Sequence, residues 1–207
     1  MIDQPFDKLI DSLAARTATP GGGAAAAMAA CMGTALFLMV VRFSRGKKQN
    51  ADREADLQRV EQLLQGHLNR LRPMAERDCR SYELVSASFG MSKDTEPQQR
   101  LRDRTIQEAM IGAMIVPEET LAMVRDVFVA MDGVVSCIGK AIVSDLASGA
   151  WLLLAAAEAA LLNVRINAAF LHNREVAATT MERVNGVRQE IRRFQERIAA
   201  SVDQVLQ

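Results

Sequence analysis

A chain of 207 residues with 49% hydrophobic and 24% charged side chains can bury a sizeable core, which argues against intrinsic disorder and allows one domain or two small ones. Its 25 basic and 25 acidic residues cancel, so no global field draws it to nucleic acid or to an anionic membrane, and any anion site must be local. Three widely spaced cysteines (Cys31, Cys79, Cys137) without a CxxC pair suggest neither a disulfide framework nor a zinc ribbon, and two isolated histidines (His67, His172) remove most clustered transition-metal sites.

The opening MIDQPFDKLIDSLAAR carries three aspartates, unlike the basic start of a secretory signal, so a cytoplasmic location is expected. Phe6, Leu9, Ile10 and Leu13 fall on one helical stripe behind Pro5, and this first helix ends before Thr19-Pro20. Three glycines then open an uncharged run from Ala24 to Val41. That run reaches the ~18 residues at which a membrane span becomes a candidate, but its apolar character is mostly alanine, which favours burial among other helices. The helix is expected to end at Phe43 or Ser44, with Gly46 terminating it.

From Asn50 as N-cap, Leu57, Val60, Leu64, Leu68 and Leu71 predict a polar helix reaching Pro73. MAERDCRSYELVSASFG is helical again and GMSKDTEP is a loop. Two helices follow near 97–114 and 117–138, divided by Pro117. Leu146 to Val164 is the most apolar stretch, and a charged amphipathic helix over about 174–206 closes the chain. Aromatics are 4% and no alternating β-branched run occurs, so strands are not expected. The expected fold is a single all-α domain, residues 1–207, with six to eight helices and dimerisation through the two helices that are apolar all round.

Candidate chemistry sits at three places. Pro20, Gly21, Gly22 and Gly23 lie immediately before a helix, whose orphan N–H groups attract anions, although a plain turn between touching helices explains them too. The pattern is neither GxxxxGK[ST] nor GxGxxG. Asp78 and Tyr82, four residues apart, share a helix face and could orient a nucleophile or relay a proton; a solvated amphipathic face is the bland reading.

Asp145, Gly149, Leu152, Ala156, Asn163 and Asn167 point within about 40° of one direction at ~100° per residue. Asn163 and Asn167 form a carboxamide pair suited to a heterocycle edge, while Arg165 between them suits an ion pair. Asp145 lies ~27 Å from Asn163 along such a helix, so both serve one site only through a long ligand, a helix break or a second subunit. No Ser-His-Asp arrangement is supported.

The order of FDKLIDSLAARTATPGGG, ERDCRSYELV, VPEETLAMV and SDLASGAWLLLAAAEAALLNVRIN resembles the cyclodeaminase/cyclohydrolase family of folate enzymes, over roughly residues 5 to 200. The family includes the cyclodeaminase half of formiminotransferase-cyclodeaminase and stand-alone methenyltetrahydrofolate cyclohydrolases. The resemblance implies an all-helical homodimer acting on a one-carbon unit of a tetrahydrofolate derivative as substrate, with no cofactor or metal, no nucleic acid and no membrane. It assigns Asp78, Tyr82, Lys93 and Asp145 as catalytic. Pro20, Gly21, Gly22, Gly23, Ser144, Asn163, Arg165 and Asn167 would bind substrate, the glycine turn offering amides to a carboxylate of the folate tail. The chain departs from the family pattern at Ala24, Ser92 and Lys140, where the family usually has serine, proline and asparagine.

Overall fold

The computed structural model describes residues 4–207. Seven α-helices follow in order: α1 (Phe6–Ala14), α2 (Gly22–Ser44), α3 (Glu54–Leu71), α4 (Met74–Phe89), α5 (Glu96–Asp132), α6 (Val143–Ala169) and α7 (Arg174–Leu206). No strand occurs among the described residues, so the fold is all-α.

The two uncharged helices pack on each other. Small residues let α2 and α6 approach closely: a Cβ on Gly33 would stand 2.9 Å from the Gly149 carbonyl, and one on Gly149 would stand 2.8 Å from the Phe37 ring. Phe37 meets Phe128 of α5 edge to face at 5.7 Å and closes this layer. Both stretches are long and apolar enough to cross a membrane, and each turns much of its surface into the core of this chain. Glu158, the one charge within the apolar part of α6, takes Arg188 at 2.9 Å and Arg192 at 2.7 Å, which fastens α7 across it.

Three boundaries differ from the sequence expectation; one is the end of the helix expected near 117–138, which stops at Asp132. Asn50 caps no α-helix; it is buried and its Nδ2 donates to the carbonyls of Ser44 (2.8 Å) and Cys137 (3.0 Å). A 3-10 segment, Lys48–Arg53, precedes α3 instead. An orphan carbonyl at the buried end of α2 needs a donor more than an exposed helix start does.

Pro117 does not divide α5, which runs unbroken for 37 residues from a Thr95/Gln98 capping box. An interior proline costs about 3 kcal/mol, and packing of α5 against α4, α6 and α7 outweighs that cost. By contrast Pro73 does break the chain, between α3 and α4. Gly46, at φ 67°, reverses it after α2 as expected.

Candidate functional site

A cavity of about 460 Å³ opens between the start of α2, the length of α4, the middle of α5 and the C-terminal half of α6. That volume is in the usual range of about 300–1,000 Å³ for small-molecule sites. At its glycine end Asp78 lies against the backbone of α2: a Cβ on Gly23 would fall 2.1 Å from Asp78 Oδ1. Only glycine leaves room for the carboxylate. The Ala24 N–H donates to Asp78, while burial pushes the carboxyl above its ordinary value of 3.8.

Asn163 faces the same turn, its Nδ2 only 3.4 Å from where a Gly22 Cβ would be. Asn163 Nδ2 donates to Ala159 O and Asn167 Nδ2 to Asn163 O, both at 2.8 Å. One N–H of each amide is thereby held on the helix, and the Oδ1 atoms are left as acceptors.

Pro117 adds a further acceptor. Lacking an N–H, it leaves the Ala113 carbonyl without its usual i+4 helical donor; Asn167 Nδ2 approaches this carbonyl at a long 3.5 Å, and Ala113 lines the cavity. Among the described residues, no Lys, Arg or His lines the cavity, and its ionisable side chains are Asp78 and Tyr82. The lining is therefore rich in acceptors and carries one carboxylate, an arrangement that favours a cationic, donor-bearing ligand.

The structure brings Gly21, Gly22, Gly23, Asp78, Tyr82, Asn163 and Asn167 to this one cavity. Pro20 forms the preceding bend, half-buried, without lining it. Ser144 and Asp145 do not reach it: α6 is continuous, so they sit ~27 Å away at its opposite end. Lys93 is exposed in the loop after α4, and Arg165 is exposed on the far side of α6 beside Glu158 and Arg188. The ~27 Å separation expected along such a helix therefore holds, and no break in α6 shortens it.

The glycine turn also differs from its expected part as receptor of a tail carboxylate. Its Ala24 amide is taken by Asp78, whose own charge opposes a second carboxylate there. Ala24 contributes this backbone N–H, while its methyl is fully buried, so a hydroxyl is not needed to hold Asp78. Phe89, Met110, Ala113, Ile166 and Phe170 line the cavity without having been singled out from sequence. The aromatic residue closing each of two helices, Phe89 before Gly90 and Phe170 after Ala169, was the available signal.

The formiminotransferase-cyclodeaminase family profile matches residues 5–186. The chain belongs to this family. It is 31% identical over 200 residues to the methenyltetrahydrofolate cyclohydrolase of Methylorubrum extorquens, covering 97% of this chain and 96% of that one. It is 26% identical to the formimidoyltransferase-cyclodeaminase of Sus scrofa over 92% of this chain, which corresponds to 35% of that longer protein. A crystal structure of formiminotetrahydrofolate cyclodeaminase from Thermotoga maritima superposes with a TM-score of 0.87 over 100% of this chain and 99% of that one; at 24% identity that likeness establishes the fold. Among the described residues, no group of three or more His, Cys, Asp and Glu side chains is placed to hold a metal.

Proposed function

We propose that this family member is a folate one-carbon enzyme that hydrolyses 5,10-methenyltetrahydrofolate to 10-formyltetrahydrofolate. The observation that carries the reading is a cavity whose one carboxylate among the described residues, Asp78, is unopposed there by any cationic side chain. The methenyl bridge of this substrate is a cationic amidinium, and a buried carboxylate both attracts it and can take a proton from the attacking water.

Water oxygen bonds to the methenyl carbon as one of its protons passes to Asp78. The remaining hydroxyl proton is lost as the formyl carbonyl forms, the C–N5 bond breaks with its electron pair to N5, and N5 takes the proton held by Asp78. Overall one water enters and one proton is released. Tyr82 supplies a hydroxyl on the same helix face to order the water, and the Oδ1 atoms of Asn163 and Asn167 with the Ala113 carbonyl accept from the pterin's N–H groups. The relation to the cyclohydrolase along nearly the full length of both chains supports this reaction.

The family profile and the pig relative favour a second reading on the same site, in which N10 attacks the carbon of 5-formiminotetrahydrofolate and ammonia leaves. Both reactions pass through a tetrahedral carbon, and both start from a cationic one. Purified protein is expected to accelerate the loss of methenyltetrahydrofolate absorbance. Ammonia from formiminotetrahydrofolate without that acceleration transfers the assignment to the cyclodeaminase, and neither signal leaves a helical folate-binding protein or scaffold without turnover.

The same proposal takes residues 1–207 as one catalytic unit that works in the cytosol as a homodimer. Free thiols at Cys31, Cys79 and Cys137 suit a reducing compartment. Trp151, Leu162 and Ile166 are each more than half exposed along one side of α6 and support a self-association face. Light scattering of the Trp151→Glu variant, expected to halve the mass in solution, checks it.

A further inference from the structure

The cavity has two unlike ends. One holds Asp78 and the glycine turn; the other ends at Phe89, on the last turn of α4, and Phe170, just past α6. Phe89 lies ~16 Å beyond Asp78 along α4, and Phe170 lies ~10 Å beyond Asn163 along α6. Their rings meet edge to face at 6.4 Å, yet stay 44% and 51% exposed. A pair this close admits no ring between its members, but it offers an aromatic corner against which a third ring can stack.

Side chains of α5 hold this corner. Gln107 donates to the Phe170 carbonyl at 3.1 Å and accepts from the His172 N–H at 2.7 Å. Arg102 donates from Nη2 to the Phe89 carbonyl at 3.2 Å, and its guanidinium carbon lies 5.9 Å from the Phe89 centroid. Arg102 forms no ion pair with any carboxylate among the described residues, and its Nε is buried without a partner. A guanidinium normally matches a carboxylate with two parallel N–H donors, and this one lacks an anionic partner.

We infer that Phe89, Phe170 and Arg102 receive the p-aminobenzoyl-glutamate half of the substrate, the ring on the aromatic corner and a glutamate carboxylate on Arg102. The inference rests on the folate reading and fixes the direction in which the substrate lies. The cavity lining has no cation, so the glutamate carboxylates must be met outside it. The glycine end is closed to them by the charge of Asp78 and by its hold on the Ala24 amide. The aromatic end has the Arg102 guanidinium, which lies beside the Phe89 ring and has no ion-pair partner among the described residues. The pterin then points to the glycine turn, with the reacting carbon within reach of Asp78.

The test measures equilibrium binding of 5-formyltetrahydrofolate, a probe that is not turned over, and of 5-formyltetrahydropteroate, which lacks the glutamate. Wild-type protein is expected to prefer the glutamate-bearing probe about tenfold, as a charge-assisted contact implies, and Arg102→Gln to erase that preference while leaving pteroate binding unchanged. Arg102→Lys keeps the charge and a donor for the Phe89 carbonyl, and is expected to keep part of the preference. Phe89→Ala and Phe170→Ala should each weaken both probes about five- to tenfold.

If Arg102 only caps α4, Arg102→Gln lowers thermal stability and weakens both probes equally, and the assignment of Arg102 is overturned. Unchanged binding in both phenylalanine variants overturns the ring platform. A wild-type protein that binds neither probe overturns the folate reading itself, a result distinguishable from either of these.

Discussion

Asp78 and Asp145 are both half-buried carboxylates on helices, and their surroundings give them different parts. Asp78 fits into the space left by the missing side chain of Gly23, receives a helix-start amide and faces Asn163 and Tyr82 across a cavity. Asp145 occupies the first turn of α6, where a carboxylate complements the helix dipole, and it borders none of the cavity around Asp78. The lesson is that a carboxylate becomes chemically useful through what crosses over it from another helix. Its position on its own helix face is not enough.

The largest contrast is expected from neutralising each in turn. Asp78→Asn should lower kcat by about 10²- to 10⁴-fold, the range for a lost general base, while retaining the fold. Its melting temperature at neutral pH should rise, because burial disfavours the charged carboxylate. Asp145→Asn should stay within about twofold of wild-type activity and lose about 0.3–1 kcal/mol of stability through the helix dipole. Steady-state kinetics with thermal melts separates the two outcomes.

Next in size is Gly23→Ala, whose methyl would occupy the position of Asp78 Oδ1. The carboxylate can swing aside, so stability should change little, while misplacement of the base should reduce kcat by about a hundredfold. Gly22→Ala meets Asn163 Nδ2 at 3.4 Å, ordinary contact, and serves as the mild partner in the same assay.

The pH dependence sharpens the comparison further. The carboxyl of Asp78 is raised in the folded protein above 3.8, so the acid limb of kcat should lie above that value, and Asp78→Asn should remove it. For stability the sign is opposite to that of an ion-paired carboxylate. The Asp78 contribution is fully present below 3.8 and declines as pH rises through the folded value. Urea midpoints of wild type and Asp78→Asn should therefore converge at low pH and separate toward neutrality.

The smallest effect is expected from Pro117→Ala, which restores an N–H to the Ala113 carbonyl. Substrate affinity should weaken about threefold as an acceptor is removed, while helix stability is maintained or improved. A calorimetric titration beside a melt reads both.

Most helices were legible because a buried face repeats with the helical period: the stripe of Leu57, Val60, Leu64, Leu68 and Leu71 places α3 without any tertiary information. Pro117 and Asn50 misled because their effects are decided by remote partners, the packing around α5 in one case and the Cys137 carbonyl in the other. In the site, the glycine turn, the Asp78/Tyr82 pair and the Asn163/Asn167 pair each showed locally. That they share a cavity did not, since it depends on how α2, α4 and α6 cross. The Ala113 carbonyl had no side-chain signature at all, and Phe89 and Phe170 looked like ordinary helix ends. Ser144, Lys93 and Arg165 came from the family resemblance, and in this fold they border other surfaces.

The most direct measurement follows the absorbance of 5,10-methenyltetrahydrofolate in the presence of wild type, Asp78→Asn and Asp145→Asn, side by side at neutral pH. The account predicts acceleration over the spontaneous rate by wild type and by Asp145→Asn, and its loss in Asp78→Asn. Full activity in Asp78→Asn, or loss in Asp145→Asn with its fold intact, would contradict it.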